Sequence, residues 1–273
     1  MKKILAPVDF TDSSFEAARA AAQLAADWNC ELHILNVYHI PNPLQTLPIE
    51  IVFTTEELEK ESHSRLKQLS EILTVYGLEK NKISIHTRNG TTSHSILEMA
   101  EYVHADLIVM GMRHESMLRD LLTVNPSERL IRNSKLPLLL LPGNSRFKRP
   151  VHILYATDGQ SVAEGAGKQL LTDWCDRYGA TIQFVHLHQH REPADHDRVM
   201  ETLDAGFSKV RHTYTFPESE LLSRSIVALA KDSGAELIVV EAHDHSMLER
   251  ILGMDHTEQV AHESNLPVLI LHR

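Results

Sequence analysis

Short apolar runs recur along the chain, each followed by a stretch in which apolar residues return every three or four positions. Lys3 to Val8 is the first such run, bounded by turn signals as a buried parallel strand should be. Ser13-x-x-Glu16 reads as a capping box that opens a helix, and Phe15, Ala18, Ala22 and Ala25 share one face of it. Glu31 to Val37 predicts the second strand. Thr54-x-x-Glu57 predicts the cap of a long second helix with Leu58, Leu66, Leu69 and Leu73 turned inward. Lys82 to Thr87 alternates as a third strand, and Ser93 to Val103 is a third helix. Leu107 to Met110 and Leu138 to Leu141 complete a set of five strands.

The same series then starts again. Residues 105–118 read Ala-Asp-Leu-Ile-Val-Met-Gly-Met-Arg-His-Glu-Ser-Met-Leu, and residues 235–248 read Ala-Glu-Leu-Ile-Val-Val-Glu-Ala-His-Asp-His-Ser-Met-Leu. The offset of 130 also carries Glu128 onto Glu258 and Ser134-Lys135-Leu136-Pro137 onto Ser264-Asn265-Leu266-Pro267. Ile4 to Asp9 returns as Ile153 to Asp158 with an offset of 149, so the first copy holds more chain between these segments. Pro41, Pro43 and Pro48 place much of that extra length between Tyr38 and Thr55. The second copy is expected to have a capping box at Ser161-x-x-Glu164, a helix bearing Leu170 and Trp174, and a strand from Thr181 to Leu187. Beyond these come a helix near Arg198 to Phe207, a strand at Val210 to Thr215 and a helix at Ser223 to Ala230. Strands at Leu237 to Val240 and Val268 to Leu271 close it.

Strand–helix alternation of this kind demands right-handed crossovers and a doubly wound parallel sheet in each copy. The expected domains are 1–146 and 147–273, joined by a short linker at Pro142 to Pro150. The last strands would lie at sheet edges, and pairing them would remove an apolar edge and relate the copies by a pseudo-twofold axis.

Composition narrows the function classes. Hydrophobic residues make up 42% and charged residues 23%, as in ordinary globular proteins. A net charge of −10 repels phosphate backbones and argues against nucleic-acid partners. No stretch has the apolar length of a membrane span, and the opening run is too short for a signal segment, so the expected compartment is the cytoplasm. Cys30 and Cys175 read as small packing residues rather than a redox pair.

The repeated pattern resembles the universal stress protein family over nearly the whole chain, twice. The segments that carry the likeness are Ile4-Leu5-Ala6-Pro7-Val8-Asp9, Asp106 to Gly111, and Ser127-Glu128-Arg129-Leu130 followed by Leu136-Pro137 and an apolar strand. The resemblance implies two tandem Rossmann-like domains of the adenine nucleotide alpha hydrolase-like kind. It also implies a stress-response role and a site for ATP. The site residues it implies are Pro7, Val8, Asp9, Val37 and Met110, with Asp158 as the second copy's counterpart of Asp9.

ATP-binding members carry Gly-x-x-Gly, nine residues, then Gly-Ser or Gly-Thr after the fourth strand, where bare backbone and a helix N-terminus can hold phosphate. Here Gly111 keeps the first glycine, His114 stands at the second, and Val124 and Asn125 follow residues 115 to 123. The second copy has Glu241, Asp244, Met254 and Asp255 at these places. A Cβ forced to positive φ costs about 1–2 kcal/mol, and like charges about 4 Å apart repel by several kcal/mol at intermediate dielectric. The second copy is therefore expected not to hold ATP in the family's manner. The first is left with weak ATP binding, or AMP or adenosine bound through Asp9, Val37 and Gly111. Asp9 and Asp158 have a second reading as turn or cap residues, and Gly111 as a strand-end turn.

Eighteen histidines are present. His186, His188 and His190 alternate and would share a strand face, and His243 falls near the same sheet end, a donor set that suits zinc. No helical or cysteine motif fixes a geometry, so scattered surface histidines are the simpler reading. No Gly-x-Ser-x-Gly elbow, Walker loop, dinucleotide fingerprint or His-Glu-x-x-His occurs, so no catalytic residue is assigned. The leading expectation is a non-enzymatic regulatory binding module, with further homodimer formation and protein partners left open.

Overall fold

A computed structural model of the chain describes residues 1–39, 54–112, 130, 133–142, 145–157, 165–186, 193–216, 226–241 and 266–272. The first half contributes β1 (Lys3–Pro7), α1 (Asp12–Trp28), β2 (Glu31–Tyr38), α2 (Thr55–Leu73), β3 (Ile83–Asn89), α3 (Thr92–Val103), β4 (Leu107–Met112) and β5 (Leu138–Pro142). The second contributes β6 (His152–Thr157), α4 (Gly165–Tyr178), β7 (Thr181–His186), α5 (Pro193–Phe207), β8 (His212–Thr215), α6 (Ile226–Asp232), β9 (Leu237–Glu241) and β10 (Val268–Leu271).

The described strands form one sheet in the order β3-β2-β1-β4-β5-β10-β9-β6-β7-β8. Every pairing within a half is parallel, and the two halves meet where β5 and β10 run antiparallel, with Leu139 opposite Leu269. These are two tandem Rossmann-like domains related by a pseudo-twofold axis through that seam. Pairing the last strands buries two apolar edges that would otherwise offer bare backbone to other chains.

Alternation along each strand splits the core into two layers. On one face Ile4, Ala6, Tyr155 and Phe184 pack under α1, α2, α4 and α5 through Ala21, Leu66, Trp174 and Phe207. On the other, Leu5, Leu35, Leu154 and Ile238 meet α3 and α6 through Ile96, Ala100, Ile226 and Ala230. The repeat extends to polar chemistry. Asp106 Oδ2 accepts the backbone N–H of Lys3 (2.9 Å) at the start of β1. Glu236, its equivalent, accepts that of Val151 (2.7 Å) at the start of β6.

Two helix starts contrast. At α2, Thr54 accepts the N–H of Glu57 (3.2 Å) while the Glu57 carboxylate accepts the N–H of Thr54 (2.8 Å), so the expected capping box is present. At α1 the expected box at Ser13 and Glu16 is not formed. The helix begins earlier, with Thr11 as N-cap, Ser13 inside the first turn, and Glu16 paired to Arg19. The reason lies upstream: Asp9 accepts the N–H of Thr11 (3.1 Å), so the chain turns into the helix before Ser13 is reached. The second copy's candidate box at Ser161 and Glu164 lies outside the described residues, as does most of the proline-bearing stretch before α2.

A second seam joins α1 to α4. Trp28 and Tyr178 sit edge to face with ring centres 6.5 Å apart, and the indole N–H donates to the phenol (3.2 Å). Asp27 beside them takes two 2.7 Å hydrogen bonds from Arg149 and one of 3.0 Å from Tyr178. The Arg177 guanidinium lies 4.5 Å above the Trp28 ring. The linker contributes Phe147, edge-on to Trp174 at 6.4 Å. Burial pulls the Asp27 carboxyl upward, but the hydrogen bonds and charges of Arg149, Tyr178 and Arg177 outweigh it and leave the pKa below the usual aspartate value. Its contribution to stability is therefore complete above that value and is lost as pH falls below it. Asp27→Asn is expected to cost about 1 kcal/mol in urea unfolding at neutral pH. The gap from the parent should narrow as pH falls below the ordinary aspartate value; a pH-independent gap would mean that charge is not what Asp27 contributes.

Burial pushes the Cys30 thiol up to about 11 and the Cys175 thiol to about 12. Both stay protonated in the core and form no disulfide, as packing residues would.

Candidate functional site

In each half the strand order reverses between the first and fourth strands, and their carboxyl ends flank the crevice where doubly wound folds take ligands. In the first half this brings together the ends of β1, β2 and β4. Leu5 pairs with Ile108, so Pro7 at the end of β1 stands level with Met110 near the end of β4. Val37 lies toward the end of β2, with Tyr38 opposite Asn89 of β3. Pro7, Val8, Asp9, Val37, Met110 and Gly111 thus share one rim of the sheet.

A buried polar chain fixes that rim. The Val8 N–H donates to Leu35 O (2.7 Å), the Asn36 amide donates to Val8 O (2.7 Å), and Ser62 of α2 donates to Asn36 Oδ1 (2.7 Å). Asn36 is thereby satisfied inside the core, and it ties the end of β1 to β2 and α2. Sequence reading missed Asn36 and Ser62. A lone polar residue interrupting an apolar strand was the available signal.

Beyond Val8 the chain passes through Asp9, which is exposed and holds the turn through Thr11. Phe10 follows at φ 63, a left-handed conformation that costs a bulky residue about 1–2 kcal/mol. Its ring is held by the Arg65 guanidinium, 3.9 Å from the ring centre, and by Phe15 at 6.4 Å. The turn reading of Asp9 is therefore observed, and the crevice mouth is shaped by a strained aromatic pinned from α2.

Gly111 has a steric reason of its own. A Cβ there would lie 2.2 Å from Ser13 O and 2.8 Å from Ser14 N. The end of β4 and the first turn of α1 meet backbone to backbone, which only glycine allows. The other positions carried over for the phosphate loop, His114, Val124 and Asn125, lie outside the described residues.

The second half carries larger side chains at the corresponding positions. Where the first half has Ala6 and Gly111, it has Tyr155 and Glu241, and Glu241 stands opposite Leu271 as Gly111 stands opposite Leu141. Tyr155 is fully buried and Glu241 is 3% exposed, and the phenol donates to Glu241 Oε1 at 2.8 Å. Phe184 and Phe207 pack around the Tyr155 ring at 5.3 and 6.0 Å. Asp158 lies outside the described residues.

Of the histidine set, only His186 lies among the described residues. His188, His190 and His243 lie outside the described residues. His186 is buried, with the rings of His196 and Phe216 edge-on at 6.3 and 6.0 Å. Among the described residues no group of three His, Cys, Asp or Glu side chains is placed to hold a metal.

Fold and crevice define a doubly wound α/β protein in tandem, with its ligand-facing rim at the strand carboxyl ends. The chain belongs to the universal stress protein family, whose model matches residues 1–142 and 209–272. It is 33% identical to a universal stress protein of Methanocaldococcus jannaschii over 144 residues, covering 51% of this chain and 81% of the relative. A universal stress protein of Synechocystis is 25% identical and aligns with 98% of this chain and 99% of its own length. In fold, it is similar to a universal stress protein from Archaeoglobus fulgidus with a TM-score of 0.71 at 19% identity, covering 99% and 96% of the two chains. No described helix is long and apolar enough to cross a membrane.

Proposed function

We propose that this chain is a non-enzymatic regulatory binding module of the stress-response kind, in which only the first domain, residues 1–146, keeps a crevice fit for a nucleotide. The second domain, residues 147–273, serves as its paired partner. The replacement of Ala6 and Gly111 by Tyr155 and Glu241 carries this reading. A carboxylate buried at the strand end repels phosphate in a medium that screens it poorly, and the tyrosine ring takes the volume beneath. Among the described residues, the first domain has no buried carboxyl group at that strand end, and Val8, Asp9 and Val37 share its rim, which favours ATP or AMP there as the ligand. The substituted phosphate loop, with His114, Val124 and Asn125, favours weak binding of the triphosphate.

Equilibrium dialysis of the whole protein against labelled ATP and AMP tests the reading. At most one nucleotide is expected per chain, with Asp9→Ala lowering occupancy and Glu241→Gln leaving it unchanged. Two equivalents per chain would overturn the single-crevice view. Phosphate release from ATP above a protein-free blank would overturn the non-enzymatic one.

A further inference from the structure

His33 of β2 and His86 of β3 lie on the same sheet face with their rings stacked, centres 5.3 Å apart and 25° between planes. His33 Nδ1 is 3.0 Å from His86 Nε2, a hydrogen bond between two imidazoles. Such a bond needs one nitrogen bearing a proton and one bare. One added proton leaves that possible. A second sets two N–H groups against each other at hydrogen-bond distance, both on cations, and no tautomer relieves it. His33 is 7% exposed, so solvent cannot dilute the repulsion.

The surrounding charges are few. On β2, Glu31 Oε2 is 3.4 Å from His33 Nε2. On β1, Lys3 Nζ reaches the same Glu31 oxygen at 3.7 Å. On β3, Arg88 adds positive charge near His86. The α3 helix covers this face with Ile96, Met99, Ala100 and Val103, while its His94, Glu98 and Glu101 are exposed, the first two paired at 3.1 Å. Glu31 can therefore compensate one proton on His33, and nothing described on this face stands ready for the second.

The second half supplies an internal control. Leu32 pairs with Ile83 as Ile182 pairs with His212, so the equivalents of His33 and His86 are Gln183 and Thr215. Gln183 donates to Thr215 Oγ1 at 2.8 Å. The same cross-strand bond is kept there with groups that do not titrate.

We propose that the His33–His86 pair makes the outer edge of the first domain acid-labile, parting β3 from β2 below neutral pH, while the Gln183–Thr215 edge of the second domain holds. Burial pushes both imidazoles below the usual histidine range. Glu31 works against this for His33, and the charges of His33 and Arg88 add to it for His86. The folded edge thus favours neutral rings and the opened edge takes up protons. Stability of the edge is complete above the ordinary histidine value and is lost as pH falls below it.

Hydrogen exchange of the whole protein at pH 7.5 and 5.5, corrected for intrinsic rates, reads this directly. Opening of residues 83–89 should rise on the order of tenfold per pH unit for each proton taken up, with residues 212–215 unchanged. His33→Gln/His86→Thr, which installs the second domain's pair, should abolish the rise. Equal loss of protection at both edges, or a rise that survives the double variant, would overturn the proposal. Should that variant fail to fold, the imidazole resonances of the unsubstituted protein decide. Both His33 and His86 titrating freely at the ordinary histidine value, with no loss of β3 amide signals, would equally overturn it.

Discussion

Gly111→Ala is expected to destabilise the protein by about 3 kcal/mol, the upper end of penalties for an overfilled core. The added methyl would meet the Ser13 carbonyl oxygen at 2.2 Å and the Ser14 nitrogen at 2.8 Å. Both are backbone atoms, so no rotamer change clears them, and the first turn of α1 would have to lift from β4. That turn is itself held by Asp9 through Thr11 and by Ser14 Oγ donating to Thr11 O at 2.9 Å. Lifting it therefore disturbs the loop at the crevice mouth as well. Gly165→Ala provides the contrast. Gly165 has φ 58 with nothing within 4 Å of the new Cβ, so backbone strain alone should cost about 1–2 kcal/mol. Urea unfolding of the two variants separates collision from strain. Equal midpoints for both would mean that β4 and α1 do not approach as closely as described.

Phosphate binding was one reason to keep Gly111, and close packing of α1 on β4 is sufficient without it. Its survival while His114 and Val124 replace the later glycines fits a position held first by packing. Glycine at one motif position is thus weak support for a triphosphate, and the dialysis experiment carries more weight than the motif.

The elements legible in the sequence were those set by short-range pattern. Strand runs such as Leu107 to Met110, and Thr54 with Glu57 three residues on, are local signals, and the structure keeps them within a residue or two. Pairing of the last strands followed from the rule that apolar edges must be covered. Ser13 and Glu16 had the same spacing as Thr54 and Glu57, yet Asp9 started the helix earlier, and a turn made by a residue ahead of the motif is invisible to the motif. The crevice rim was placed by resemblance, but its supports were not. Asn36 meets Val8 from 28 positions away, His33 meets His86 across 53, and Arg149 meets Asp27 across 122. Such contacts depend on register and strand order, which single-residue patterns do not encode.

Tyr155→Phe carries the second large expected effect, a loss of about 1–3 kcal/mol, the cost of taking a partner from a buried polar group. The phenol donates at 2.8 Å to a carboxylate that is 3% exposed, in a layer otherwise built from Phe184, Phe207 and aliphatic strand residues. Removing one hydroxyl leaves the ring packing intact and takes a donor from Glu241 where water cannot replace it. Replacing both partners should cost less than the sum of the single changes, because Glu241→Leu removes the group that needed the donor. A double-mutant cycle on Tyr155→Phe and Glu241→Leu therefore tests the pair itself, and additive losses would show that the two residues do not depend on each other. The cycle also bears on function. If the ring at position 155 closes the second crevice by volume, whatever the charge at position 241, neither single variant nor the double should create a second nucleotide site, because an aromatic ring remains in each. Opening that site should require restoring the first domain's small residues, Tyr155→Ala with Glu241→Gly, at a cost in stability of about 3–5 kcal/mol for the emptied core.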